Sequence, residues 1–239
     1  MTELLYLDDM FLKEFNAKVI SISDGKSVIL DQTVFYPRSG GVACDGGELI
    51  RKSDGTEFKV NSVEKSNGDI SHEVDLEGLE EGDEVIGRID WDRRYRLMRH
   101  HTAAHVLSGA FWIEGNVKIG GNEIDVDGGR IDFTLEDFDR EKIEIYVEKA
   151  NEVVKQDLPV ETYYISREEL EVDPNLTKLL MGLPENIDRV RIVDIKGFDK
   201  QPDGGCHVAR TSEIGAIKLT KMKNKGKNNR RMYFVLEDK

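Results

Sequence analysis

Ile89-Asp90-Trp91-Asp92-Arg93-Arg94-Tyr95-Arg96-Leu97-Met98-Arg99-His100-His101-Thr102-Ala103-Ala104-His105-Val106-Leu107 is the stretch at which the chain changes texture. From Asp92 to Trp112 there is no Pro, and the only Gly is Gly109. Leu97, Met98, Val106, Leu107, Ala110 and Phe111 recur at helical spacing, so the segment predicts a long helix. His101 and His105 stand four apart within it. Residues at i and i+4 lie one above the other on a helix face, so both imidazoles can reach one metal ion.

Upstream of this stretch the pattern is that of short strands. Ala17–Ile22, Lys26–Leu30, Gly47–Arg51, Glu57–Val60 and Asp83–Ile89 read as strands, with Asp24-Gly25, Asp54-Gly55 and Asn67-Gly68 marking turns between them. Many short strands at regular spacing suggest a small barrel or sandwich. Downstream, a second helix is expected from Leu135 to about Lys155, with Glu136 and Asp137 loading acid into its first turn, where the helix dipole favours it. Gly128–Phe133, Val190–Ile195 and Arg231–Leu236 read as strands. The expectation is an α+β protein in two parts, residues 1–90 and 91–239.

The chain has 239 residues and a net charge of −13. That length favours two compact units, and the acidity argues against a general nucleic-acid coat protein, including a DNA binder. Two cysteines, Cys44 and Cys206, cannot build a disulfide framework, and no apolar run reaches the ~20 residues of a membrane span. No basic stretch followed by an apolar core opens the chain. These features predict a cytoplasmic protein without a membrane partner.

The charge is unevenly spread. Lys218, Lys221, Lys223, Lys225, Lys227, Arg230 and Arg231 form a run with no acid, which leaves −20 for the rest of the chain. Such a run is commonly a solvated face, but against an acidic body it also suits phosphate contact, with Lys225-Gly226-Lys227 at its tip.

Three further features bear on chemistry. Gln201-Pro202-Asp203-Gly204-Gly205-Cys206-His207 packs a carboxylate, a thiol and an imidazole into a Gly-Gly turn. With His101 and His105 it offers a four-ligand zinc set, although Pro-Asp-Gly-Gly is also ordinary turn chemistry. A zinc protease is argued against, because Thr102 stands where that signature requires Glu. Thr33-Val34-Phe35-Tyr36-Pro37-Arg38-Ser39-Gly40-Gly41-Val42-Ala43-Cys44-Asp45 is either a wide connecting loop or a place where paired glycines let a ligand approach the backbone. His100 reads as a surface or supporting residue. No Ser-His-Asp or Cys-His set is evident, which disfavours a covalent acyl-enzyme.

Taken in this order, these features resemble the alanyl-tRNA synthetase editing domain and its free-standing relatives, the AlaX trans-editing proteins of medium length. The resemblance rests on Thr33–Pro37 with Ser39-Gly40-Gly41 and Asp45, on Arg99–His105, on Gly204–Val208 with Thr211–Gly215, and on Lys225–Phe234. It implies a small N-terminal β-barrel followed by an α+β zinc-containing editing domain. The implied reaction is hydrolysis of the ester joining a wrong amino acid, chiefly serine and secondarily glycine, to alanine tRNA. His101, His105 and His207 would hold Zn2+, with Asp203 or Cys206 as the fourth ligand. Thr33, Ser39, Gly40 and Gly41 would meet the substrate, and Lys225, Lys227, Arg230 and Arg231 the tRNA phosphates.

Two positions depart from the family pattern. Asp203 stands where the second zinc motif usually carries Cys, with Cys206 at a position commonly Thr. Val42 replaces a usual Gln. The competing expectation is a catalytically silent tRNA-binding module with a structural zinc. Oligomeric state is not legible.

Overall fold

The computed structural model describes residues 1–135, 139–172, 176, 188–226 and 229–237. By its internal contacts the chain divides into two compact units, Met1–Met98 with Glu123–Asp127, and Arg99–Asn122 with Gly128–Lys239.

The first unit carries β1 (Glu3–Leu4), β2 (Glu14–Ser23), β3 (Ser27–Leu30), β4 (Gln32–Thr33), β5 (Gly47–Arg51), β6 (Glu57–Ser66), β7 (Asp69–Val74) and β8 (Glu84–Ile89). β1 and β4 pair in parallel. The other six are ordered β2-β3-β7-β6-β5-β8 and close into a barrel. Side chains alternate across a strand, and here the inward set is apolar. Phe15, Ala17 and Val19 of β2, Phe58, Val60 and Val63 of β6, and Val85 and Ile89 of β8 fill the interior with Phe35 and Leu49. Asp24-Gly25 and Asn67-Gly68 sit in the β2–β3 and β6–β7 turns with positive φ.

β7 has no counterpart among the expected strands. Its inward positions are Ile70, His72 and Val74, each no more than 3% exposed. An imidazole in the middle breaks the apolar alternation that would reveal the strand.

The helix expected over 92–112 is α1 (Trp91–Gly115). Arg94, near its start, is 1% exposed, and its guanidinium pairs with Asp45, which is 0% exposed at the side chain. Arg94 also donates to the carbonyls of Met10 at 2.9 Å and Val34 at 2.6 Å. Asp45 in turn accepts the Tyr36 N–H at 2.7 Å. The pair thereby ties the loop after β4 to the first turn of α1.

The second unit contains β9 (Ile119–Asp125) in part, β10 (Gly128–Phe133), α2 (Arg140–Lys155), β11 (Val160–Ser166), α3 (Arg167–Val172), β12 (Arg189–Ile195), β13 (Asp199–Pro202), β14 (Ala216–Asn224) and β15 (Arg230–Glu237). They form a four-stranded sheet, β14-β15-β10-β9, and a three-stranded sheet, β11-β12-β13. α2 starts at Arg140 rather than Leu135 because Asp139 caps it, accepting the Lys142 N–H at 3.2 Å. Glu136 and Asp137 lie outside the described residues. On α2, Asn151 binds both backbone groups of Ile217, at 2.9 and 2.8 Å, and so docks the helix on β14.

Among the described residues no helix is long and apolar enough to cross a membrane. Cys44 and Cys206 are both buried thiols.

Candidate metal centre

α1 brings His101 and His105 to one face, as their spacing requires. His207 and Asp203 come from the Gly-Gly turn after β13. The donor atoms of these four side chains all lie within 4.8 Å of one another. Asp203 is at the middle of the set. Its Oδ2 is 3.5 Å from His101 Nε2 and 3.7 Å from His105 Nε2, and its Oδ1 is 3.2 Å from His207 Nε2. Donors around one ion at ~2.0–2.1 Å stand about 3.3 Å apart, so these separations suit a shared cation. The imidazole rings of His101 and His207 stack at 4.3 Å, and that of His105 stands edge-on to His207 at 4.7 Å.

The electrostatics suit a metal as well. Burial pushes the His101 imidazole down to about 4, aided by His105 and opposed by Asp203. Burial, with His101 beside it, holds His207 well below its usual value. Burial alone would raise the Asp203 carboxyl, but His101, His105 and His207 outweigh it and hold the group well below the usual carboxylate range. At neutral pH the site therefore offers neutral His101 and His207 imidazoles facing an ionised carboxylate, the protonation states a metal needs.

The supporting shell was not legible in the sequence. Thr102 Oγ1 lies 3.1 Å from His207 Nδ1 and accepts the Val208 N–H at 3.2 Å. In the metal-binding tautomer Nδ1–H donates to Thr102 and the Nε2 lone pair faces inward. Arg191 of β12 is buried and donates from Nη1 to the carbonyls of Asp203, at 3.0 Å, and Gly205, at 2.9 Å. The Asp203 N–H returns to the Arg191 carbonyl at 3.1 Å. Gly205 is required by close approach, since a Cβ there would meet His101 Cε1 at 2.4 Å and Asp203 Oδ1 at 2.8 Å.

The two candidates for the fourth ligand are placed differently. Asp203 belongs to the converging set, and Cys206, although buried, does not. His100 is buried, with its ring 6.1 Å from that of Phe234, rather than on the surface.

The other expected site residues are placed as follows. Ser39-Gly40-Gly41-Val42 is a tight turn closed by reciprocal backbone bonds of 3.2 and 2.8 Å between Ser39 and Val42. Gly40 and Gly41 have φ of 58° and 80°, a conformation that suits glycine. Lys65 donates to Ser39 Oγ at 3.0 Å.

Thr33 is 0% exposed, with Oγ1 accepting the Phe35 N–H at 3.1 Å and lying 2.9 Å from His72 Nε2. His72 Nδ1 is 3.0 Å from the Val28 carbonyl, which can only accept. Nδ1 therefore carries the hydrogen, and Thr33 donates to Nε2.

In the basic run, Lys225 is exposed and Lys227 lies outside the described residues. Arg230 is buried and donates to Asn224 Oδ1 at 3.0 Å and to the Gly226 carbonyl. Arg231 makes a two-pronged pair with Asp132, both bonds 2.7 Å.

Comparison with known proteins gives the class and then the family. Residues 6–93 match a family model described as tRNA synthetases class II (A), and residues 190–233 match one described as the threonyl and alanyl tRNA synthetase second additional domain. The chain is 51% identical to an alanyl-tRNA editing protein AlaX-M of Methanosarcina barkeri, with 100% of both chains covered. It is 42% identical to one of Saccharolobus solfataricus, over 99% of this chain and 100% of the other. An alanine–tRNA ligase of Sulfurisphaera tokodaii is 39% identical over 91% of this chain, a stretch that makes up 24% of the ligase.

The chain belongs to the AlaX-M family of alanyl-tRNA editing proteins.

Proposed function

We propose that this chain is a trans-editing hydrolase that deacylates alanine tRNA mischarged with serine and, secondarily, with glycine. The observation that carries the reading is the convergence of three buried imidazoles, His101, His105 and His207, on the Asp203 carboxylate in a chain whose relatives are named as alanyl-tRNA editing proteins. His101, His105, Asp203 and His207 would hold a zinc ion, which when bound would supply Lewis acidity to an ester carbonyl. The protein's own part is to keep the His101 and His207 imidazoles neutral and to hold Asp203 in place through Arg191 and the Gly205 N–H.

The need for such an enzyme is physical. A synthetic site shaped for alanine rejects a smaller glycine poorly, and rejects serine poorly because a hydroxyl adds little bulk. For serine, a second site can instead demand the hydroxyl. Thr33 is assigned that contact. Its hydrogen is committed to His72 and one lone pair to Phe35, and the side chain is 0% exposed, so a serine hydroxyl would have to displace the surrounding packing to reach the remaining lone pair. Thr33→Val should then lower the serine-over-alanine preference by on the order of tenfold, the worth of one hydrogen bond. The Ser39-Gly40-Gly41 turn, whose two glycines are exposed, is assigned to backbone contact with the substrate, and Lys225, Lys227, Arg230 and Arg231 to tRNA phosphates.

The test is incubation of the protein with seryl-tRNA(Ala) and alanyl-tRNA(Ala), with and without a chelator. Release of serine but not alanine, abolished by the chelator and restored by zinc, is the expected result. Tight tRNA binding without release would favour the silent module instead.

A further inference from the structure

Cys206 stands three residues beyond Asp203 in the same turn, yet the centre gathers three imidazole nitrogens and a carboxylate and no sulfur. The carboxylate is not a passing neighbour. Its Oδ1 accepts the Gly205 N–H, and the backbone on either side of it is bonded to Arg191 in both directions. A fixed carboxylate and a rejected thiol have a chemical consequence. Thiolate is the donor that most favours zinc among the available divalent ions, whereas imidazole also suits iron and carboxylate suits harder ions such as manganese. The Asp203 side chain is 23% exposed while His207 is 0% exposed, so the set is open on the carboxylate side. That opening gives room for the extra ligands that ions preferring more than four donors require.

We infer that this centre binds Fe2+, Co2+ and Mn2+ as well as Zn2+, with a far weaker preference for zinc than a thiolate-containing site would have, and that Asp203 sets this breadth. The inference rests on the metal-centre part of the proposed function and is independent of the hydrolysis.

The experiment uses the full chain stripped by a chelator and titrated anaerobically with each metal salt alone and in pairs. Cobalt serves as the spectroscopic probe. In the unaltered protein the cobalt complex should show ligand-field bands without a thiolate-to-cobalt charge-transfer band. Asp203→Cys should introduce that band and raise the zinc-over-cobalt and zinc-over-manganese preference on the order of tenfold or more.

A thiolate band in the unaltered protein that Cys206→Ser abolishes would overturn the inference. So would an Asp203→Cys protein that shows the band with an unchanged metal preference. If Asp203→Cys does not fold, Asp203→Asn provides the second arm. It keeps an oxygen donor of the same shape and should weaken every ion by on the order of tenfold without adding sulfur bands. Unaltered binding in that variant would also overturn the inference. Serine release from seryl-tRNA(Ala) is measured on the same preparations. A protein that binds these ions but hydrolyses nothing would refute the proposed function and leave the inference standing.

Discussion

His72 illustrates how one buried side chain can hide an element and carry a pH dependence. Burial pushes its imidazole down to about 4, against the raising effect of its bond to the Val28 carbonyl, from an ordinary 6.5. Between those values the unfolded chain binds the proton that the folded one refuses. Its contribution is therefore complete above pH 6.5 and is lost as pH falls toward 4, by on the order of 3 kcal/mol. Urea unfolding between pH 7 and 4 should show a shallower loss for His72→Gln, whose amide retains one donor and one acceptor. Gly205 gives a second test at this scale. Gly205→Ala should cost about 1–3 kcal/mol through overpacking against His101, and the rise in melting temperature on adding zinc should disappear. The histidine pair was legible because helix periodicity alone puts i and i+4 on one face. Which of Asp203 and Cys206 lies among the histidines was not, because Arg191, a residue from another strand, bonds the backbone of that turn.

Elements were legible where their own periodicity was intact. α1 declared itself, and β10, β12 and β15 followed from apolar runs. β14 did not, because its ladder with β15 shifts register between Leu219 and Lys221, which breaks the alternation and leaves only a basic run to read. Of that run, Lys218 is paired with Glu237, Arg231 is paired with Asp132, and Arg230 closes the β14–β15 turn onto Asn224 and Gly226, so these three charges have structural partners. At the start of α1 the Arg94–Asp45 pair is the joint to test. Asp45→Ala would leave a guanidinium buried at 1% exposure without its counter-ion and should cost about 3–5 kcal/mol by chemical denaturation. Arg94→Met with Asp45→Leu, which removes both charges, should recover much of that loss.

At the scale of the whole molecule, a net charge of −13 with a basic hairpin implies a partner touched at one place rather than enveloped. Lys225→Gln should reduce the slope of log affinity against log salt for alanine tRNA by ~0.7–0.9 if it meets one phosphate. Arg231→Gln should reduce it less, because Asp132 already balances that charge.

The Asp45–Arg94 joint has a bearing on modularity. Residues 91–98 and 123–127 belong to the first unit although they follow the barrel strands in the sequence. A gene cut after residue 90 would excise a barrel that keeps Asp45 and lacks the arginine built to meet it. The aligned stretch in the Sulfurisphaera tokodaii ligase covers 91% of this chain within one larger protein. Grafting between proteins should therefore succeed when the barrel is moved together with residues 91–98, and fail when it is cut after residue 90.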